Sequence, residues 1–185
     1  MNWKRWVLVL LGVVMVLAIV LPSLLRYLVR GECCEASQIG DIRTVISAQN
    51  AYTSANGGLY EGRLACLSNP FTGCIPSYPS TSPTFLDSQL ASLVTKGGYA
   101  HAFYPGPPPP AEEAGQEAGP VKTSPSSVTC FAYVAVPEKA GETGVRSFCG
   151  DCTGVMGFRR DGGVPAGVKA GRCELGSPQG WEVLQ

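Results

Sequence analysis

The stretch WVLVLLGVVMVLAIVLPSLL, Trp6 to Leu25, carries no charged residue, and no turn signal separates it from the polar, helix-patterned sequence that follows. This juxtaposition restricts the possible folds more than any other feature of the chain. About 20 apolar residues, each rising ~1.5 Å, match a bilayer core of roughly 30 Å. Lys4 and Arg5 flank the start of the run, Arg26 and Arg30 lie beyond its end, and Trp3 and Trp6 suit an interface. The run is long for a cleaved signal peptide, and no small-x-small cleavage site follows it. An uncleaved transmembrane anchor is therefore expected over residues 1–30. Pro22 falls inside the span, where it removes one backbone donor and kinks or opens the helix locally.

From Glu35 to Asn56 the period changes. Ile39, Ile42, Ile46, Gln49 and Tyr52 recur at spacings of three and four, with Val45 beside them, and form one stripe for burial. Gln38, Asp41, Arg43, Ser47 and Asn50 fill the other faces. Asn56-Gly57-Gly58 ends the pattern, because asparagine and glycine accept the left-handed conformation that closes helices. One helix of about fifty residues, roughly 75 Å long, is predicted. Its second half packs on the remainder of the chain. Its first half is free to sit in lipid or against copies of itself.

Downstream the chain is turn-rich, with 23 glycines and 15 prolines in the whole sequence, and short strands are expected. GGYAHAFYPG (Gly97 to Gly106) and VTCFAYVAVP (Val128 to Pro137) read as strands rich in aromatic and β-branched residues. GVRSFCGD and TGVMGFRRDGG read as a hairpin turning near Asp151 to Gly154. Phe85 to Val94, just after Pro83, reads as a short amphipathic helix. The class is α+β, with a long N-terminal helix packed on a small antiparallel sheet of about four strands. Residues 31–185 form the head. Within it, a proline-rich insertion at 105–127 is expected to be a mobile, solvated hairpin loop.

Lysine plus arginine and aspartate plus glutamate balance at 14 each. A chain without excess positive charge has no general affinity for nucleic acid. The eight cysteines point to disulfides in an oxidising compartment, which sets the head outside the cytoplasm. The localisation expected is thus a single pass of a bacterial inner membrane, with a cytoplasmic N-terminus and a periplasmic or extracellular head. Cys66 and Cys74 enclose a short loop with Asn-Pro and Thr-Gly turn signals, and are predicted to pair. Cys149 and Cys152 have the CxxC spacing of thiol–disulfide oxidoreductases, but a β-turn supplies no helix dipole to lower a thiol pKa. A structural crosslink is favoured, with Cys130 and Cys173 as other partners for Cys149. Cys33 and Cys34 are adjacent on the helix, so free thiols or bridges to another subunit are expected. His101 reads as a strand histidine and Asp161 as a turn former. No motif for catalysis, metal binding or a cofactor stands out, and the chain is not read as an enzyme.

The segment LPSLLRYLVRGECCEASQIGDIRTVISAQNAYTS resembles the corresponding segment of type IV pilins and pseudopilins, through Pro22, Leu24, Leu25, Arg26, Glu35, Ala36, Ser37, Gly40, Arg43, Thr44, Ala48 and Tyr52. KGGYAHAFYPG and GVRSFCGDCTGVMGFRRDGGVPA are similar to strand segments of such proteins. When Pro22 is aligned with the family's proline, Met1 occupies the first mature position and Arg5 the place of the family's glutamate. A divergent, permanently anchored relative is therefore expected. The resemblance implies a structural or accessory subunit of a type IV pilus or type II secretion-like assembly. Its partners would be membrane lipid and other pilin-like subunits, and its helix would pack through the region of Gly12, Pro22, Leu24 and Leu25. The alternatives are a tethered periplasmic thiol–disulfide protein using Cys149 and Cys152, and an anchored ligand-binding or adhesion head.

Overall fold

The computed structural model describes residues 3–110, 123–163, 167–176 and 180–184; within the first helix the side chains of 3–5, 7–9 and 23–33 are outside the description. Helix α1 runs Trp3–Thr53 with Pro22 inside it. It closes through turns in which the Gly58 N–H donates to the Thr53 carbonyl at 2.9 Å. Gly57 and Gly58 take φ of 63° and 84°, the left-handed values that side chains resist.

Behind α1 come β1 (Tyr60–Glu61), α2 (Leu64–Ser68), α3 (Ser88–Ala91), β2 (Thr95–Lys96), β3 (Tyr99–Pro105), β4 (Ser127–Val128) and β5 (Phe131–Pro137). β6 (Ser147–Asp151), β7 (Met156–Arg159), β8 (Val168–Lys169), β9 (Arg172–Cys173) and β10 (Glu182–Val183) complete the chain. The main sheet is six-stranded in the order β10-β7-β6-β5-β3-β2, with every described pair antiparallel. β1 with β4 and β8 with β9 form two-stranded ribbons beside it.

Both faces of the sheet are covered. On one, Tyr99, Phe131, Tyr133, Ala135, Phe148 and Met156 pack against Ile42, Val45, Ile46 and Tyr52 of α1. On the other, Ala132, Val134 and Cys149 pack with Cys173 and Trp181 of the C-terminal segment. This explains why β5 is an almost unbroken apolar run: a strand with no wet face has no need of polar alternation. α1 approaches the sheet closely at Gly150, where an added Cβ would lie 2.5 Å from Ile42 Cγ2 and 2.9 Å from Ile46 Cδ1.

Several expectations are corrected. The sheet is not a small one of about four strands, because the C-terminal segment adds β10 and the turn after α3 adds β2. A membrane-spanning first half is not supported. Among the described residues no helix is long and apolar enough to cross a membrane. The transmembrane assignment of 1–30 and the single-pass inner-membrane localisation fall with it. Gln38 is fully buried instead of lying on a polar face. The helix expected over Phe85–Val94 shrinks to one turn, since the Phe85 and Leu86 N–H groups both donate to the Leu67 carbonyl. Asp87 caps that turn, accepting from the Leu90 N–H at 2.9 Å. The proline-rich insertion lies outside the described residues from 111 to 122.

Candidate functional site

The most unusual surface of the molecule is the first half of α1. Trp6 and the large apolar residues at 10, 11, 13–17 and 19–21 are all about half exposed or more, up to 70% at Met15. They lie on every side of the helix. An apolar surface of this kind is otherwise found buried against a partner. A Cβ on Gly12 would meet nothing within 4 Å, so this side of the helix is open to close approach. Pro22 also lies in this exposed part. Leu24 and Leu25, the other two predicted packing residues, fall where side chains are outside the description, as does Cys33.

Two polar collars bolt the second half of α1 to the head. The first lies where the helix meets the head. Glu35, 5% exposed, accepts from the Val145 and Arg146 backbone N–H groups at 3.1 and 3.0 Å through Oε1. Its Oε2 accepts from Arg146 Nε at 2.8 Å and meets Nη2 at 2.7 Å. The Arg146 guanidinium also lies over the rings of Phe148 and Phe158. Tyr99 donates its hydroxyl to the Arg146 carbonyl at 2.9 Å, and burial, with the negative charge of Glu35, pushes that phenol upward from its ordinary pKa. On the adjoining side Lys96 Nζ reaches both oxygens of Asp41, at 2.8 and 2.7 Å.

The second collar closes the far end. Gln49 and Glu61 exchange hydrogen bonds: Gln49 Nε2 donates to the Glu61 carbonyl at 2.8 Å, and the Glu61 N–H donates to Gln49 Oε1 at 2.9 Å. The buried Glu61 carboxylate accepts from the Tyr52 hydroxyl at 2.7 Å, from the Ser126 hydroxyl, and from the Arg63 N–H. Asn56 links the helix end to Ser124 and Ser127. Each buried polar group here is matched, which makes the network a fixed joint. Glu35 entered the sequence analysis only as the start of the striped stretch and through a resemblance, and Glu61 not at all. The one visible signal for the second collar was Gln49, a polar residue in an apolar stripe.

The cysteines form three bridges. Cys66 joins Cys74, Cys130 joins Cys152, and Cys149 joins Cys173. The CxxC pair is therefore divided between two crosslinks. Cys149 packs with the cluster on the sheet face away from α1, whereas Cys152 packs with the core beneath α1. In extended chain, residues three apart point to opposite faces, so strand geometry separates these two sulfurs. Cys34 is a free, partly exposed thiol.

His101 lies buried on β3. Asp161 closes its turn by accepting from Gly163 N–H at 3.1 Å and from Arg159, whose hydrogen bond holds the carboxyl below its ordinary pKa. No cluster of three histidine, cysteine or acidic side chains able to hold a metal ion occurs among the described residues.

No family model, curated protein or solved structure matches the chain. The pilin-like assignment therefore gains no support from relatives and stands on the sequence motifs alone.

Proposed function

We propose that the protein is a structural subunit that assembles with copies of itself through the exposed apolar half of α1, displaying the crosslinked head outward in a type IV pilus or type II secretion-like assembly. The observation that carries this reading is the all-round exposure of the apolar side chains from Leu10 to Leu21 on a helix whose continuation is locked into the head. Helices that are apolar on all sides are buried in their working state. Identical helices provide matching surfaces, and repeated head-to-tail association of one subunit generates a filament. The two collars serve the same end. They make helix and head a single body, so a register set between helices is passed to the heads. Pro22 lets the helix open locally as subunits pack.

The division of Cys149 and Cys152 between separate bridges disfavours the thiol–disulfide alternative, which needs the two as one redox pair.

The test is assembly of the full chain. Wild type and a Val14→Lys/Leu17→Lys variant are tagged at the C-terminus and followed into the sheared surface-fibre fraction. The wild type should appear there and the variant should not, while the near-ultraviolet spectrum of the purified variant still reports a folded head. A wild type absent from fibres, or a variant that enters them equally well, overturns the reading.

A further inference from the structure

Three side chains on separate elements of the helix–sheet seam carry buried polar atoms with no hydrogen-bond partner among the described residues. They are His101 on β3, through both Nδ1 and Nε2, Tyr133 on β5, through its hydroxyl, and Gln38 on α1, through Oε1. Their exposures are 8%, 1% and 0%. The His101 and Tyr133 rings are 5.6 Å apart and tilted by 40°, on neighbouring strands whose register sets Phe103 opposite Tyr133 and Ala135 opposite His101. Buried polar atoms in native proteins are almost always satisfied. The His101 and Tyr133 atoms, on paired strands with neighbouring rings, point to a shared occupant.

The chemistry of the seam identifies its class. Burial holds the imidazole below its ordinary pKa, with Asp41 raising it and Lys96 lowering it again, so the ring is neutral near pH 7 and offers one donor and one acceptor. Burial also pushes the Tyr133 phenol upward, which excludes a phenolate. Among the described residues no third ligand joins the imidazole to make a metal site, and the nearby charges of Asp41 and Lys96 pair with each other. Asp41 and Lys96 also line an outer cleft of about 250 Å3 with Thr44, Leu90 and Leu93.

We propose that His101 and Tyr133 form an internal binding site for a small neutral molecule that both donates and accepts hydrogen bonds, namely water. One imidazole nitrogen and the phenolic hydroxyl give a water two partners, within the two to four that a stable internal site uses. The helix–sheet seam is then hydrated at this point, between apolar contacts on either side.

The experiment uses the wild-type protein and Tyr133→Phe, which deletes only the hydroxyl. Water–protein cross-relaxation spectra are recorded near pH 7 with water itself as the probe, together with thermal midpoints. A long-lived water contacting the His101 ring and the Tyr133 hydroxyl is expected. Tyr133→Phe should lose it and melt no higher than wild type. A folded wild type with no such contact overturns the proposal. So does a Tyr133→Phe midpoint above wild type, because removal of an unpartnered hydroxyl stabilises whereas removal of a hydrated one does not.

Discussion

Glu35→Ala is the substitution whose effect the structure determines most closely. The carboxylate sits where α1 meets the head and serves four donor contacts: two backbone N–H groups at 3.1 and 3.0 Å, and two guanidinium nitrogens at 2.8 and 2.7 Å. Hydrogen bonds to a charged acceptor contribute about 1.5–3 kcal/mol, and stranding a buried N–H costs about 1–3 kcal/mol. The two ends of the interaction differ. The Glu35 side chain is 6% exposed, but Arg146 is 37% exposed. Its guanidinium rehydrates when the partner is lost, so the arginine part is reduced by solvent screening toward about 1 kcal/mol. The backbone part remains, because the Val145 and Arg146 N–H groups have no other acceptor among the described residues. The expected loss is about 2–4 kcal/mol in all, the larger part from the backbone donors. Glu35→Gln, whose carbonyl still accepts from those donors, should lose about half as much.

The assay is urea unfolding, followed by the fluorescence of Trp181, which is buried in the head with its indole N–H donating to the Gly167 carbonyl at 3.0 Å. A cycle with Arg146→Ala separates the contributions, and a coupling of about 1 kcal/mol is expected. Hydrogen exchange at the Val145 and Arg146 amides should accelerate in Glu35→Ala. A loss below about 0.5 kcal/mol, the scale of an ordinary surface substitution, would refute the claim that this carboxylate holds α1 to the head.

Two further outcomes follow from the packing. Gly150→Ala introduces a Cβ 2.5 Å from Ile42 Cγ2, so α1 must shift outward, and the head should lose about 1–3 kcal/mol in urea unfolding. Adding Ile42→Ala to that variant removes the clashing methyl and should cost less than Ile42→Ala alone; equal costs would count against direct contact. Because the His101 pKa is lowered in the folded head, the unfolded chain binds a proton that the native state does not in the window from the ordinary value near 6.5 down to the native one. Stability therefore rises with pH across that window and falls as pH drops below about 6.5. Asp41 and Lys96 face His101 and act with opposite sign, and the Tyr133 phenol beside it stays neutral. His101→Phe should flatten the thermal midpoint between pH 5 and 7.5, and a slope unchanged from wild type would assign it to other groups.

Local signals carried much of the architecture. The three-and-four spacing of Ile42, Ile46, Gln49 and Tyr52 marks the face of α1 that is buried, and Gly57 and Gly58 mark where it stops. Asp151 to Gly154 is legible as a turn because an aspartate side chain bonds the N–H two residues on and a glycine accepts φ of 77°. The Cys66–Cys74 bridge is legible because a loop that short brings its ends together unaided. The exposed apolar run is also plain in the sequence, although its length there suggested a membrane span that the described helix does not support.

Most of what depended on segments distant in the chain was hidden or left open. Gln38 is buried because Lys96, 58 residues away, offers its carbonyl to the amide. The C-terminal segment covers the second face of the sheet and supplies Cys173 to Cys149, one of the partners the sequence left open. The collars join Glu35 to Arg146 and Glu61 to Ser126, pairs recognisable only once the strands are in register. The sequence by itself determined where the helix begins to be striped, where it ends and where the chain turns, since those follow from the conformational preferences of adjacent residues. Tertiary structure alone decided which distant polar groups satisfy one another and how the four cysteines of the sheet and C-terminal segment pair, because both depend on the register and the facing of strands brought together from opposite ends of the head.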